Sequence, residues 1–176
     1  MSSQDLERLI RTVPDFPLPG ISFKDITPLL KDPTGFRLAI DHLAVPFVDA
    51  AVDLVVGVES RGFLFAAPIA YKLNAGLVPI RKIGRLPAES IQVSYSLEYG
   101  TNALEAHRDS LKPGQRVLIV DDLLATGGTV VATIQLIRQL GGHVVGLAFL
   151  IELLYLKGRS NLIDPPPIVS LIQYAD

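Results

Sequence analysis

The chain contains no cysteine. That excludes a disulfide framework and any thiolate metal site, and it suits a reducing compartment. Bulk basicity is also missing: 16 Lys and Arg stand against 18 Asp and Glu, a net charge of −2. No Lys/Arg-rich run appears, so a nucleic-acid footprint is not expected. The first residues, MSSQDLERLIRTV, lack the apolar core of a signal peptide. The most apolar stretch, Val144 to Leu156, is interrupted by Glu152 and is too short to span a bilayer. Repeats and low-complexity tracts are lacking, and so is a GxGxxG fingerprint. Gly57 to Gly62 has the glycine spacing of a Walker A loop, but Phe63 stands where its lysine belongs. His42, His107 and His143 show no metal-ligand spacing and read as structural residues. These absences together lead to the expectation of a cytoplasmic protein with neither nucleic acid nor membrane as partner.

What is present is ample apolar material. Of the 176 residues, 49% are hydrophobic and 19% charged, which suits one globular domain with a real core. Leu6, Leu9, Ile10 and Val13 lie on helical spacing and predict a helix over 3–13, with Ser3 at its N-cap. Pro14, Pro17, Pro19 and Gly20 then forbid a regular helix, and residues 15–30 read as an ordered loop. Asp32-Pro33 opens a helix expected to reach about Ala50. Short apolar runs at 53–58, 77–81, 117–120, 144–151 and 168–174 predict strands, with helices over 62–73 and 129–140. Residues 84–100 mix Gly, Pro and charge, then alternate as QVSYSLEY in a hairpin-like pattern. Strand and helix in alternation predict an α/β fold with a central, mainly parallel sheet flanked by helices. Ligands of such sheets sit beyond the carboxyl ends of the strands, here after Val58, Ile80 and Val120.

The most informative segment is Val117-Leu-Ile-Val-Asp121-Asp122-Leu-Leu-Ala-Thr126-Gly-Gly-Thr129. Two carboxylates close a buried strand. Gly127 and Gly128 let the backbone approach a ligand, and Thr126 and Thr129 bring hydroxyls to a helix start. Free N–H groups there form a phosphate cradle. The acidic pair would repel that phosphate; it suits sugar hydroxyls or a Mg²⁺ held with a polyphosphate.

Residues 117–129 resemble the phosphoribosyl pyrophosphate signature of type I phosphoribosyltransferases, and VDDLLATGGT is similar to its form in the adenine branch. Residues 15–33, DFPLPGISFKDITPLLKDP, resemble the N-terminal hood of that branch. GVESRGFLFAAPIA at 57–70 resembles its pyrophosphate loop and following helix. PIRKIGRLP and YSLEYG, at 79–87 and 95–100, resemble its catalytic flap. The likeness covers nearly the whole chain, with the motifs in family order. It implies one phosphoribosyltransferase domain over 1–176, with a hood over about 1–34 and a mobile flap over about 84–99. The implied reaction is purine salvage: adenine and phosphoribosyl pyrophosphate give AMP and pyrophosphate.

Carried over position by position, the resemblance implies that Ala125, Thr126, Gly127, Gly128 and Thr129 hold the 5-phosphate. Asp121 and Asp122 face the ribose hydroxyls. Glu59, Ser60, Arg61 and Gly62 line the pyrophosphate site, with a non-proline cis peptide near Glu59-Ser60, and Arg81 and Lys82 add positive charge. Arg61, taken as an isolated guanidinium in a loop after a buried strand, is expected to serve as an anion partner. Phe23 and Leu123 sandwich the purine, while backbone groups from Ile21 to Lys24 read its edge. Glu98 is the implied acid/base group, with Tyr95 and Tyr99 beside it. Mg²⁺ is expected to come with phosphoribosyl pyrophosphate, near Asp121 and Asp122 but without direct protein ligands, and the family's habit is a homodimer. Lys24 stands where many relatives have arginine, and Ser22 where an aliphatic residue is usual. Two other readings remain: transfer to another base, which the hood decides, and a regulator that senses phosphoribosyl pyrophosphate. The regulator should carry a helix-turn-helix segment before the hood, and none is seen.

Overall fold

The computed structural model describes residues 3–96 and 101–175. Among these, β5-β6-β4-β3-β7-β8-β9 form a seven-stranded sheet in that spatial order. The strands are β3 (Leu54–Val58), β4 (Gly76–Lys82), β5 (Ser90–Ser96), β6 (Thr101–His107), β7 (Arg116–Leu124), β8 (His143–Leu153) and β9 (Ile168–Tyr174). The run from β4 to β9 is parallel throughout. The β5–β6 hairpin continues the sheet antiparallel beyond β4.

Unbroken apolar runs follow from this arrangement, because successive side chains of a strand point to opposite faces and both faces are covered. Val55, Leu118, Val120 and Leu150 pack with α3 (Pro33–Ala44) and α4 (Gly62–Lys72). Their neighbours Val56, Ile119 and Phe149 pack on the other side with α5 (Gly128–Gln139). No helix among the described residues is long and apolar enough to cross a membrane.

Several expected boundaries shift, each for a local reason. The helix predicted over 3–13 is confined to α1 (Ser3–Glu7), and Arg11–Val13 forms a strand, β1. β1 pairs antiparallel with β2 (Phe23–Asp25), inside the expected loop. So short a helix is marginal alone, and β pairing satisfies the backbone instead. The same loop also holds α2 (Thr27–Lys31), which tolerates Pro28 in its first turn. α3 stops at Ala44 rather than Ala50. Pro46 supplies no N–H and its ring crowds the preceding turn, so the chain tightens into a 3₁₀ turn, Val45–Phe47. β7 runs four residues past the expected end at 120, carrying Asp121 and Asp122 within the strand. β1, β2 and the connection between them fall within residues 1–34, the expected hood. There Gly20 adopts φ +86° and donates its N–H to Asp15 Oδ1 at 2.7 Å.

Candidate active site

A polar cleft of about 490 Å³ opens beyond the carboxyl ends of β3, β4 and β7. Its walls are Val58 to Arg61, Lys82, Asp121 to Leu123 and Ala125 to Val130, with Tyr95, Asn102 and Leu104 from the hairpin. The parallel sheet thus brings together the three strand ends singled out by sequence. Gly127, at φ +87°, turns the chain from β7 into α5. A side chain there would meet the carbonyl oxygen of Gly158, so glycine is required for both conformation and space. Gly128, Thr129 and Val130 line the cleft at the start of α5, where N–H groups lack helical partners and suit an anion. Tyr95 Oη lies 3.4 Å from Thr129 Oγ1 and ties the hairpin to this loop.

Asp122 is buried and its Oδ2 forms an ion pair with Arg61 Nε at 2.7 Å. Asp121 Oδ1 accepts the Asp122 N–H at 2.9 Å. Burial, and then the charge of Asp122, push the Asp121 carboxyl well above the usual carboxylate range. Burial raises Asp122 as well, and Arg61 opposes the rise. Both shifts run toward the protonated form, which can donate to a hydroxyl group as well as accept from one. Arg61 is not the isolated guanidinium expected from sequence. One edge is held by Asp122, while the group lies 5.2 Å from the Phe23 ring and borders the cleft.

Gly62 makes this arrangement possible. A Cβ there would lie 2.7 Å from Asp121 Oδ1 and 3.1 Å from the Val120 carbonyl oxygen. Gly62→Ala should therefore displace the Asp121 carboxylate, cost about 1–3 kcal/mol of stability, and lower turnover. Thermal unfolding together with steady-state rates checks this; wild-type values in both would remove the close approach from the account.

The Glu59–Ser60 peptide is cis, at the position the resemblance indicated. Glu59 accepts from Arg81 Nη2 at 3.0 Å and from the Lys82 backbone N–H at 3.0 Å. The Arg81 hydrogen bonds, foremost, hold the Glu59 carboxyl below its usual range against the effect of burial. Arg81 Nη1 also donates to the Arg85 carbonyl at 3.1 Å. Arg81 is thus occupied beside the cleft, and Lys82 borders the cleft itself. Ser60 lines it too.

A second, largely apolar cavity of about 340 Å³ adjoins the first through Arg61, Leu123, Ala125 and Thr126. Gly20 to Lys24 form one side of it, and Leu123 and Phe23 both border it. Phe16 supports Phe23 edge-on, with ring centroids 5.1 Å apart. Lys24 Nζ lies 3.3 Å from Thr12 Oγ1 and 4.1 Å from the centre of the Tyr174 ring. The Arg-to-Lys departure thus bears on hood anchoring, while Ser22 and the Ile21–Lys24 backbone border the cavity.

Sequence reasoning missed Leu153, Tyr155 and Leu156, which close the apolar cavity, and Asn102 in the cleft. Nothing in LLYL signals a pocket wall; an apolar run after a strand reads as core. Also missed was Glu105, buried at the foot of the hairpin. Its carboxylate accepts the N–H groups of Arg85 and Leu86 at 2.8 and 2.9 Å and the Ser90 hydroxyl at 3.1 Å. Burial alone would raise its pKa; these donors outweigh it and the net shift is downward. Glu98 and Tyr99 lie outside the described residues. Among the described residues, no group of three or more His, Cys, Asp or Glu is placed to hold a metal ion.

The family description "phosphoribosyl transferase domain" matches residues 30–163. The adenine phosphoribosyltransferase of Chloroflexus aurantiacus is 56% identical over 174 residues, 99% of this chain and 100% of that one. A crystal structure of the Rhodothermus marinus adenine phosphoribosyltransferase superposes with a TM-score of 0.94 at 52% identity, covering 98% of both chains. The Saccharomyces cerevisiae enzyme, solved with an imino-altritol bisphosphate and adenine, superposes with a TM-score of 0.91 at 38% identity. That match covers 96% of this chain and 97% of the yeast chain. The fold is that of a type I phosphoribosyltransferase. Within that class, the chain belongs to the adenine phosphoribosyltransferases, pentosyl transferases of purine salvage that make AMP.

Proposed function

We infer that this chain transfers the 5-phosphoribosyl group from phosphoribosyl pyrophosphate to adenine, releasing pyrophosphate and AMP. The observation that carries this reading is the junction of a polar cleft with an apolar cavity at Arg61, Leu123, Ala125 and Thr126. A sugar phosphate in the first and a flat apolar ring in the second meet there. The C1–oxygen bond to pyrophosphate breaks as the purine nitrogen bonds to C1, through a transition state with oxocarbenium character like that of glycoside cleavage. Residues 125–129 anchor the 5-phosphate through N–H and hydroxyl donors. Asp121 and Asp122 hold the ribose hydroxyls. Ser60, Arg61 and Lys82 receive the charge gathering on pyrophosphate, and Glu59 fixes Arg81 and the Lys82 backbone behind them.

Phe23 and Leu123 hold the ring, and Glu98 takes the proton that the base must lose. The flap, 84–99, closes over the cleft to exclude water, with Tyr95 meeting Thr129. Mg²⁺ arriving with phosphoribosyl pyrophosphate supplies charge neutralisation on the pyrophosphate when bound. The donor set fits a hydrated ion: Asp122 gives one oxygen to Arg61, and Asp121 gives one to an N–H. A cytoplasmic homodimer completes the proposal, in keeping with the exposed Leu64, Tyr71 and Leu77, which a partner copy would cover.

Incubation with Mg²⁺, phosphoribosyl pyrophosphate and single bases tests the reaction. AMP and pyrophosphate should form with adenine, and no product with any base would end this reading. Arg61→Ala is expected to weaken pyrophosphate about tenfold in the reverse reaction, the worth of a charge-assisted contact, and adenine less. An unaltered apparent affinity for pyrophosphate would direct Arg61 to another role.

A further inference from the structure

The 3₁₀ turn Gly158–Asn161 lies far from every motif in sequence, yet its backbone touches the phosphate loop. A Cβ on Gly158 would fall on the Ala125 carbonyl oxygen and within 3.1 Å of Leu124 Cδ1. A Cβ on Gly127 would fall on the Gly158 carbonyl. The two glycines thus let two main chains pack with no side chain between them. Asn161 Nδ2 donates to the Thr126 carbonyl at 2.7 Å. The turn is itself anchored: Arg159 Nε and Nη2 each reach a Glu152 carboxylate oxygen at 2.6 Å. Glu152 is 4% exposed and also accepts from Gln173 at 3.3 Å. In register it stands beside Leu124, where the loop leaves β7.

In a planar trans peptide the C=O and N–H point in opposite directions. A Thr126 carbonyl held toward Asn161, outside the cleft, turns the Gly127 N–H the other way. We propose that Asn161 is a positioning residue: it locks the Thr126–Gly127 peptide so that the Gly127 N–H faces the 5-phosphate. The Glu152–Arg159 pair holds Asn161 in place. Glycine at 127 gives little resistance to peptide rotation, so the constraint has to come from outside the loop. This inference rests on the reading of residues 125–129 as the 5-phosphate site.

The test measures ribose 5-phosphate and pyrophosphate binding to the full chain, with KM for phosphoribosyl pyrophosphate. Asn161→Asp keeps the shape but removes the donor and sets a negative charge on a carbonyl. It should weaken ribose 5-phosphate and raise that KM by about tenfold, the factor of one hydrogen bond. Asn161→Ala should do so by about fivefold. Pyrophosphate, which has no 5-phosphate, should change less than about twofold in both, the scatter of a site left intact. Asn161 is exposed, so the core is untouched. Gly158→Ala, which presses on the Ala125 carbonyl, should show the same ligand split. Equal weakening of pyrophosphate, or unchanged ribose 5-phosphate binding in the Asn161 variants, overturns the proposal. Thr129→Ala separates the two readings. If it weakens ribose 5-phosphate while the Asn161 variants do not, the positioning role alone fails. If it has no effect, the phosphate-loop assignment fails and the positioning role with it.

Discussion

Asp121→Asn combined with Asp122→Asn is expected to lower kcat/KM by about a hundredfold or more, the scale of losing preorganised charge at a reacting centre. The fold should survive, because asparagine matches aspartate in volume. Burial already favours the protonated form of Asp121, which the amide imitates in shape. Singly, Asp122→Asn should do more harm than Asp121→Asn. It removes the anionic partner 2.7 Å from Arg61 and frees the guanidinium proposed to receive pyrophosphate. The stability cost should be about 1–2 kcal/mol, below that of a fully buried pair because Arg61 is 36% exposed and partly screened. Circular dichroism, thermal melting and rates across a Mg²⁺ titration check all three statements. Full activity with unchanged metal dependence in the double variant would remove the pair from the reacting centre.

Adenine should exceed hypoxanthine and guanine by at least about a thousandfold in kcat/KM, the selectivity of a site that reads hydrogen-bonding edges. Adenine offers a donor at its exocyclic amine and an acceptor at N1. The other two bases carry a carbonyl and an N1–H, so both groups are reversed. On the proposed reading, a backbone carbonyl and N–H between Ile21 and Lys24 would satisfy the first arrangement and oppose the second. Each buried mismatch costs about 1–3 kcal/mol. The apolar walls, Leu123, Leu153 and Leu156, offer no hydrogen-bonding groups from their side chains to a misplaced edge. Phe23→Ala should lower efficiency by about tenfold through lost stacking yet keep the ranking of bases, since a ring face does not sense the edge. Comparable rates with hypoxanthine in the wild-type protein would show that the hood does not read adenine.

The divide between what was readable and what was not follows the range of the interactions. Asp121 to Thr129 lie in one stretch, and their strand, turn and helix preferences are local. Their order, and the continuous apolar runs that mark strands covered on both faces (the structure divides Val55 from Val56 and Leu118 from Ile119 between two cores), were legible from composition. So were the strand ends where the cleft opens, because a parallel sheet with helices on both faces leaves its ligands no other edge. By itself the sequence thus determined the fold class, and it marked the glycine-rich turn and the acidic pair that line the cleft. Tertiary structure alone decided which charges are engaged. Arg81 is held by Glu59, Arg61 by Asp122 and Arg159 by Glu152, and a side chain's partner across the sheet leaves no periodic trace. It also decided that Arg11–Val13 is a strand, since the edge it pairs with arrives only when Phe23–Asp25 folds back. Asn161 meets Thr126 for the same reason: 35 residues separate them in the chain, and only the closure of β8 beside β7 brings one amide to the other's carbonyl.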